Sequence, residues 1–254
     1  MNQAISMYTY IEEFAKRPGN GKFPKISRAE VVTGLKERMA RPETVNQAVA
    51  SLCGPACLAY IILKNLPAMY AAYIMSLYDT GSAKLGKLMV TPSDGCRNVN
   101  PTGKVSAVDW VGLASLRDSE NANWEYNSPD DQFAGITMPG GLEGWLNALG
   151  MGDVREETNL VFTKGTDSIK EAANFYAAGY SVCLFLWGDV IKGHIPGVIS
   201  TPNHWAVLSR YPLFNSNDMM SFQVFTWGSY HSVQPLKRQN FLKAYYGFVA
   251  GKWK

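Results

Sequence analysis

Apolar residues recur at three- and four-residue spacing through most of the chain, and change near residue 178 to short runs of strand character. Residues 8–17 read as an amphipathic helix, followed by a turn at Arg17-Pro18-Gly19-Asn20-Gly21. Ser27 to Met39 reads as a second helix with Ser27 as N-cap and Arg28, Glu30, Lys36, Glu37 and Arg38 facing outward. Cys53 opens an apolar helix running through Leu63, and the stretch from Leu58 to Tyr78 reads as two buried helices broken near Pro67. Residues 79–105 are rich in Gly and Pro and read as loops. Ser106 to Leu116 again has helical periodicity, and Asp118 to Gln132 reads as a polar surface loop ended by Pro139-Gly140-Gly141. Leu142 to Leu149 is a short helix closed by Gly150, and residues 166–178 form a capped helix with Gly179 after it. Strands are expected at Tyr180 to Trp187, His204 to Arg210, Ser221 to Trp227 and Tyr245 to Gly251. Helices first and an antiparallel sheet afterward predict an α+β fold. A single domain is expected, with a mainly helical lobe over 1–178, a mainly sheet lobe over 179–254 and an active-site groove between them.

With 254 residues, 46% hydrophobic and 12% aromatic, the chain can bury a large core, so one two-lobed unit fits better than several domains. A formal charge of +3 without blocks of Lys or Arg argues against nucleic acid as a partner. Lys64, Asn65 and Pro67 interrupt the most apolar stretch, so no membrane span is expected. Four cysteines do not make a disulfide framework, and at 53, 57, 96 and 183 they form no paired C-x2-C unit of a zinc site; no metal or other cofactor is expected. The N-terminal residues show no basic region followed by an apolar one, so the chain is expected to be cytoplasmic or exported without a cleavable signal peptide; a domain of a longer polypeptide fits equally.

The block Asn46-Gln47-Ala48-Val49-Ala50-Ser51-Leu52-Cys53-Gly54-Pro55-Ala56-Cys57 carries the chemistry. A thiol at a helix N-terminus sits at the positive end of the helix dipole, which favours the nucleophilic thiolate. A buried Cys is more often a small hydrophobe, but Gly54 permits close backbone approach and Pro55 suits a first helical turn. Cys57, one turn deeper, reads as core. Among three histidines, His204 opens the apolar run His204-Trp205-Ala206-Val207-Leu208 and is the candidate base; His194 reads as an exposed loop residue and His231 as a reserve. A thiolate attacking a carbonyl generates an oxyanion, to which the Gln47 amide and the Cys53 N–H would donate. His204 would hold the imidazolium beside the thiolate and then protonate the leaving amine.

These pieces, with Phe222-Gln223-Val224-Phe225-Thr226-Trp227-Gly228 downstream, resemble the papain-like cysteine peptidase superfamily. The Cys-Gly-Pro-Ala-Cys spelling is closest to bacterial bacteriocin-leader peptidases and papain-like effector toxins. The resemblance implies Cys53 as nucleophile, His204 as base, Gln47 as oxyanion donor and Trp227 as a shield over the Cys–His pair. Where the family places Asn two residues before that Trp, this chain has Phe225, so Thr226, Gln223 or Asp218 is left to orient the ring. Strand alternation sets Gln223, Phe225 and Trp227 on one face and Thr226 on the other.

The expected activity is cleavage of a peptide or isopeptide bond in a protein or peptide substrate, by a bacterial effector or toxin delivered into a target cell and held in check by an immunity or inhibitor protein. A glutamine deamidase or a cell-wall peptide amidase would use the same atoms, and a non-catalytic binding domain would keep the architecture alone.

Overall fold

The computed structural model describes residues 2–120, 126, 128–130, 137–197 and 200–254, with side chains from residue 7 onward. The chain divides into two compact units, residues 1–137 and 138–254.

The first unit is mainly helical. Helices α1 (Asn2–Ala15), α2 (Arg28–Ala40), α3 (Cys53–Asn65) and α4 (Pro67–Thr80) precede a small antiparallel hairpin of β1 (Ala83–Leu85) and β2 (Leu88–Val90). After the short α5 (Asp94–Arg97), α6 (Ala107–Asp109) runs through a π turn (Trp110–Ala114) into α7 (Ser115–Ser119). The α2 start is a capping box: Ser27 Oγ accepts from Glu30 N–H, and the Glu30 carboxylate accepts from Ser27 N–H at 2.8 Å. Every residue of α3 from Cys53 to Leu63 is buried, as a helix apolar on all sides requires. Pro67 stands in the first turn of α4, where its missing N–H is no loss, and this makes the break between the two buried helices.

Two of the charged residues expected on the outer face of α2 point inward. The Arg28 guanidinium lies over the rings of Phe14 and Tyr78, 4.6 and 5.0 Å from their centroids, and Arg38 is buried against Asp109. Both are long cations whose stems cover apolar surface while the head finds a ring or an anion, a choice periodicity cannot show. The stretch from Asp118 is likewise not uniformly a surface loop. Asp118 is buried and accepts the backbone N–H groups of Ser93 and Tyr126, and the Tyr126 ring stacks on Trp110 at 5.7 Å. Residues 121–125, 127, 131 and 132 of that stretch lie outside the described residues.

The second unit is a six-stranded antiparallel sheet with helices packed on it. It comprises α8 (Pro139–Ala148), β3 (Gly152–Thr158), α9 (Thr166–Ala177), β4 (Ser181–Leu186), β5 (His204–Phe214), β6 (Met219–Thr226), β7 (Ser229–Lys237), α10 (Arg238–Leu242) and β8 (Tyr245–Lys252). The strand order is β3-β8-β4-β5-β6-β7. The four strands expected from sequence are its inner members, with Leu184, Ala206, Val224 and Phe248 in one buried cluster. The two edge strands, β3 and β7, are not among the strands expected from sequence, because an edge buries too little to write an apolar alternation; β7 even carries Pro235, which an edge tolerates. The unit begins at Met138 and not near 178, because α8 packs on β3 and β8 and α9 packs on β4, β5 and β8. Pro139 initiates α8 instead of ending the preceding loop, and Gly165 precedes α9 without a side-chain cap.

Among the described residues no helix is long and apolar enough to cross a membrane.

Candidate functional site

Cys53 is the first residue of α3 and is buried, as are Cys57, Cys96 and Cys183. Leu52, before it, offers no side-chain cap to the helix, so the positive end of the dipole is left to backbone N–H groups. Gly54 is required by close approach: a Cβ there would lie 2.3 Å from Thr137 Oγ1 and 2.5 Å from Thr137 Cβ. The Cys96 thiol is pushed well up by burial and then by the Asp118 carboxylate, which makes it inert.

Gln47 is buried six positions before Cys53, on a loop whose hydrogen bonds leave it little freedom. One amide N–H donates to Ala50 C=O at 2.9 Å, and Ala50 N–H donates back to the Gln47 carbonyl at 3.0 Å. The amide nitrogen carries a second N–H besides this one, and among the described residues Oε1 has no hydrogen-bond partner. Ala48, with φ of 51°, donates its N–H to Asn46 Oδ1 at 2.7 Å. Asn46 N–H in turn donates to Asp109 Oδ2 at 3.1 Å, and Asp109 is ion-paired with Arg38.

Two charged groups near this block were not singled out from sequence, since each comes from a distant helix. One is the Arg38–Asp109 pair. The other is Arg117 on α7, a half-buried guanidinium lowered by burial and raised again by Cys53, whose negative form would favour it. A cation in reach of Cys53 favours the thiolate for the same reason.

His204 opens β5 in the second unit, paired with Leu186 of β4. Val207 pairs with Phe225 across β5 and β6, which brings His204 and Thr226 to diagonal positions on one face of the sheet. Thr226 Oγ1 lies 2.7 Å from His204 Nε2, and both residues are buried. Asn203 fixes the approach to the strand: its N–H donates to Leu186 C=O at 3.0 Å and its Oδ1 accepts from Gly188 N–H at 2.8 Å.

Trp227 does not continue β6. It has φ of 46° and Gly228 has φ of 75°, and these two link the paired residues Thr226 and Ser229 in a two-residue hairpin turn of type I′. Gly meets that geometry freely, whereas Trp is an unusual choice for it. The turn folds the indole back onto the imidazole, with centroids 4.5 Å apart and planes at 26°. Trp227 therefore reaches the same histidine as Thr226, contrary to the opposite faces that simple alternation assigns them. Lys192 Nζ sits 5.1 Å from the indole centroid and the His231 ring meets it edge-on at 5.4 Å.

The other orienting candidates are engaged elsewhere. Gln223 accepts from Ser209 Oγ and donates to Ser232 Oγ. Asp218, with φ of 59°, is ion-paired with Arg238 beyond the opposite end of β6. His194 is exposed, and His231 lies on β7 with Nε2 3.0 Å from Ser229 Oγ.

Burial brings the His204 imidazolium down to a pKa of about 3, with Lys192 and His231 adding to the effect and Asp189 opposing it. At neutral pH the ring in this setting is a neutral imidazole rather than the resident imidazolium that sequence reasoning pairs with a thiolate. It can accept a proton during a reaction but does not hold one beforehand.

Among the described residues no cluster of three or more His, Cys, Asp or Glu side chains could hold a metal ion. No protein-family model, curated protein or solved structure matches the chain.

Proposed function

We propose that the protein is a papain-like cysteine hydrolase that cleaves a peptide or isopeptide bond, with Cys53 as nucleophile, His204 as base, Gln47 as oxyanion donor and Thr226 as the group that orients the base. The observation that carries this reading is the setting of His204: a buried imidazole held at Nε2 by a strand hydroxyl and covered on its face by Trp227. A histidine needed only for packing has no use for both devices. The placement of Cys53 at the start of a long buried helix supports the same reading from the other unit.

In the proposed reaction Nε2–H donates to Thr226 Oγ1, leaving the Nδ1 lone pair to take the Cys53 thiol proton. The thiolate sulfur bonds to the substrate carbonyl carbon as the π pair moves to oxygen, and the second Gln47 amide N–H and the Cys53 N–H donate to that oxygen. Collapse expels the amine, which receives the proton from Nδ1. Water, deprotonated by the same nitrogen, then releases the acid from the thioester. A glutamine side chain would react identically with ammonia as the leaving group, so deamidation or cell-wall peptide amidase activity belongs to the same proposal.

A binding module without turnover is the second reading, and one observation favours it. The group at Nε2 is a neutral hydroxyl on a ring already disposed to stay uncharged, which stabilises a developing imidazolium less than an amide or carboxylate oxygen would.

Iodoacetamide alkylation of each cysteine from pH 4 to 9, read by peptide mass spectrometry in wild type and His204→Ala, separates the two. Fast alkylation of Cys53 that depends on His204 is the result expected of the hydrolase. Equal, slow reaction of Cys53 and Cys57 in both proteins would leave only the binding module. Cys53→Ala should abolish hydrolysis with the fold intact, and Cys57→Ala should act on stability alone.

The biological role we propose, a bacterial effector or toxin, is supported by the spelling of the Cys53–Cys57 block. Growth arrest on expression inside a bacterial host, lost in Cys53→Ala, is its test.

A further inference from the structure

The Gln47 loop is anchored by a buried ion pair whose partners come from two other helices. Asp109, at the end of α6, is fully buried, and among the described residues its carboxylate accepts from four donor atoms. Arg38 of α2 donates from Nη2 to Oδ2 at 2.5 Å and from Nε to Oδ1 at 3.3 Å; Ser106 Oγ donates to Oδ2 at 2.8 Å. The fourth donor is the backbone N–H of Asn46, 3.1 Å from Oδ2. Arg38 is itself buried, and its Nη2 also donates to Ser106 Oγ at 3.0 Å, so the carboxylate has a fixed place. A carboxylate with one countercharge could have been satisfied without reaching a loop. Here one of its bonds goes to the residue directly before Gln47.

From Asn46 the restraint passes along the loop. Asn46 Oδ1 accepts from Ala48 N–H at 2.7 Å and holds Ala48 in a left-handed conformation that alanine rarely adopts. That turn brings Ala50 back to Gln47, and the reciprocal Gln47–Ala50 bonds set the rotamer of the amide. Leu52 N–H closes on Ala50 C=O at 2.8 Å, immediately before Cys53. The loop from 46 to 52 thus ties the buried carboxylate to the residue that begins α3.

We propose that Asp109 is a positioning residue for the oxyanion donor: through Asn46 its carboxylate holds the Gln47 loop so that the second amide N–H of Gln47 stays fixed relative to Cys53. The inference rests on the function proposed above. Oxyanion donors contribute through fixed geometry, so a loosened loop reduces catalysis even where Gln47 itself is retained.

Two reactions of the same thiol separate this role from general support of the fold. p-Nitrophenyl acetate acylates a thiolate through a tetrahedral oxyanion: the C–S bond forms, the C–O bond to the aryl group breaks, and p-nitrophenolate leaves with the electron pair. Iodoacetamide alkylates by direct displacement of iodide, with no oxyanion. In Asp109→Asn, Cys53 acylation should fall about 10- to 100-fold while its alkylation stays within about twofold of wild type. In a Gln47→Ala background Asp109→Asn should slow acylation no further, since the donor it positions is gone.

Removing the charge opposite buried Arg38 can prevent folding, so Asn46→Ala serves as the second variant. It leaves the Asp109–Arg38 pair in place and deletes the acceptor for Ala48 N–H. The same selective loss of acylation is expected. Acylation and alkylation falling together, unchanged acylation in a folded variant, or an Asp109→Asn effect that persists without Gln47 would each overturn the proposal. Failure of the underlying function looks different: wild-type Cys53 would not be acylated at all, or Gln47→Ala would leave acylation unchanged, and the role of Asp109 would fall with it.

Discussion

His204 Nε2 and Thr226 Oγ1 lie 2.7 Å apart in the interior of the sheet unit, one at the start of β5 and the other at the end of β6. Thr226→Val keeps the shape and removes the hydroxyl, leaving a buried ring nitrogen without its partner. A loss of about 1–3 kcal/mol is expected in urea unfolding, and under the hydrolase proposal Cys53 alkylation should slow as it would in His204→Ala. Thr226→Ser should retain most of both. Equal stability of the Val variant and wild type would mean that the bond contributes nothing.

The depressed His204 pKa fixes the sign of a pH effect. Between pH 6.5 and about 3 the unfolded chain binds the proton that the folded chain refuses, so stability from this group is complete above 6.5 and is lost as pH falls toward 3. At about 1.4 kcal/mol per pH unit the loss amounts to about 4–5 kcal/mol over the window. His204→Gln, which does not titrate, should flatten that part of the pH–stability curve. Parallel curves for the two proteins would show that His204 is protonated as readily in the folded state as in the unfolded.

Trp227 occupies a left-handed turn position so that its ring can cover His204. Trp227→Gly relaxes the turn and uncovers the imidazole. The β6–β7 hairpin should persist, and the His204 pKa, followed by NMR titration of the ring protons, should rise from about 3 to above about 5 as water replaces the indole. No movement would assign the depression to the rest of the sheet interior.

Gly54→Ala should destabilise the helical unit by about 1–3 kcal/mol, against the helix preference of alanine, because the added Cβ collides with Thr137. Combining it with Thr137→Gly should recover most of the loss relative to Thr137→Gly alone. Additive costs in urea unfolding would locate the strain elsewhere.

Several features of the fold were legible along the chain because local chemistry wrote them. The capping box at Ser27 and Glu30, the Pro67 break between α3 and α4, and the inner strands follow from short-range patterns. The edge strands β3 and β7 left no such mark, since only strands buried on a face are held to an alternation. Arg28 and Arg38 depart from the outward-facing pattern because a cation on a helix face reads as solvated unless its counterpart lies on the same element.

The short list of chemistry can be read directly from the chain: a cysteine set to begin a helix, a glutamine six residues before it, and a histidine at the head of a strand. These are one-dimensional facts, set by spacing and by residue type. Contacts between distant segments settle which hydroxyl meets the histidine, that Trp227 turns back onto it, and that Asp109 and Arg38 anchor the Gln47 loop. Strand register chose Thr226 over Gln223 and Asp218, and a backbone turn overrode alternation at Trp227. The buried ion pair joins residues 71 positions apart. Each outcome depends on which segments lie side by side, and on the desolvation that follows, and neither is encoded in any short stretch of the chain.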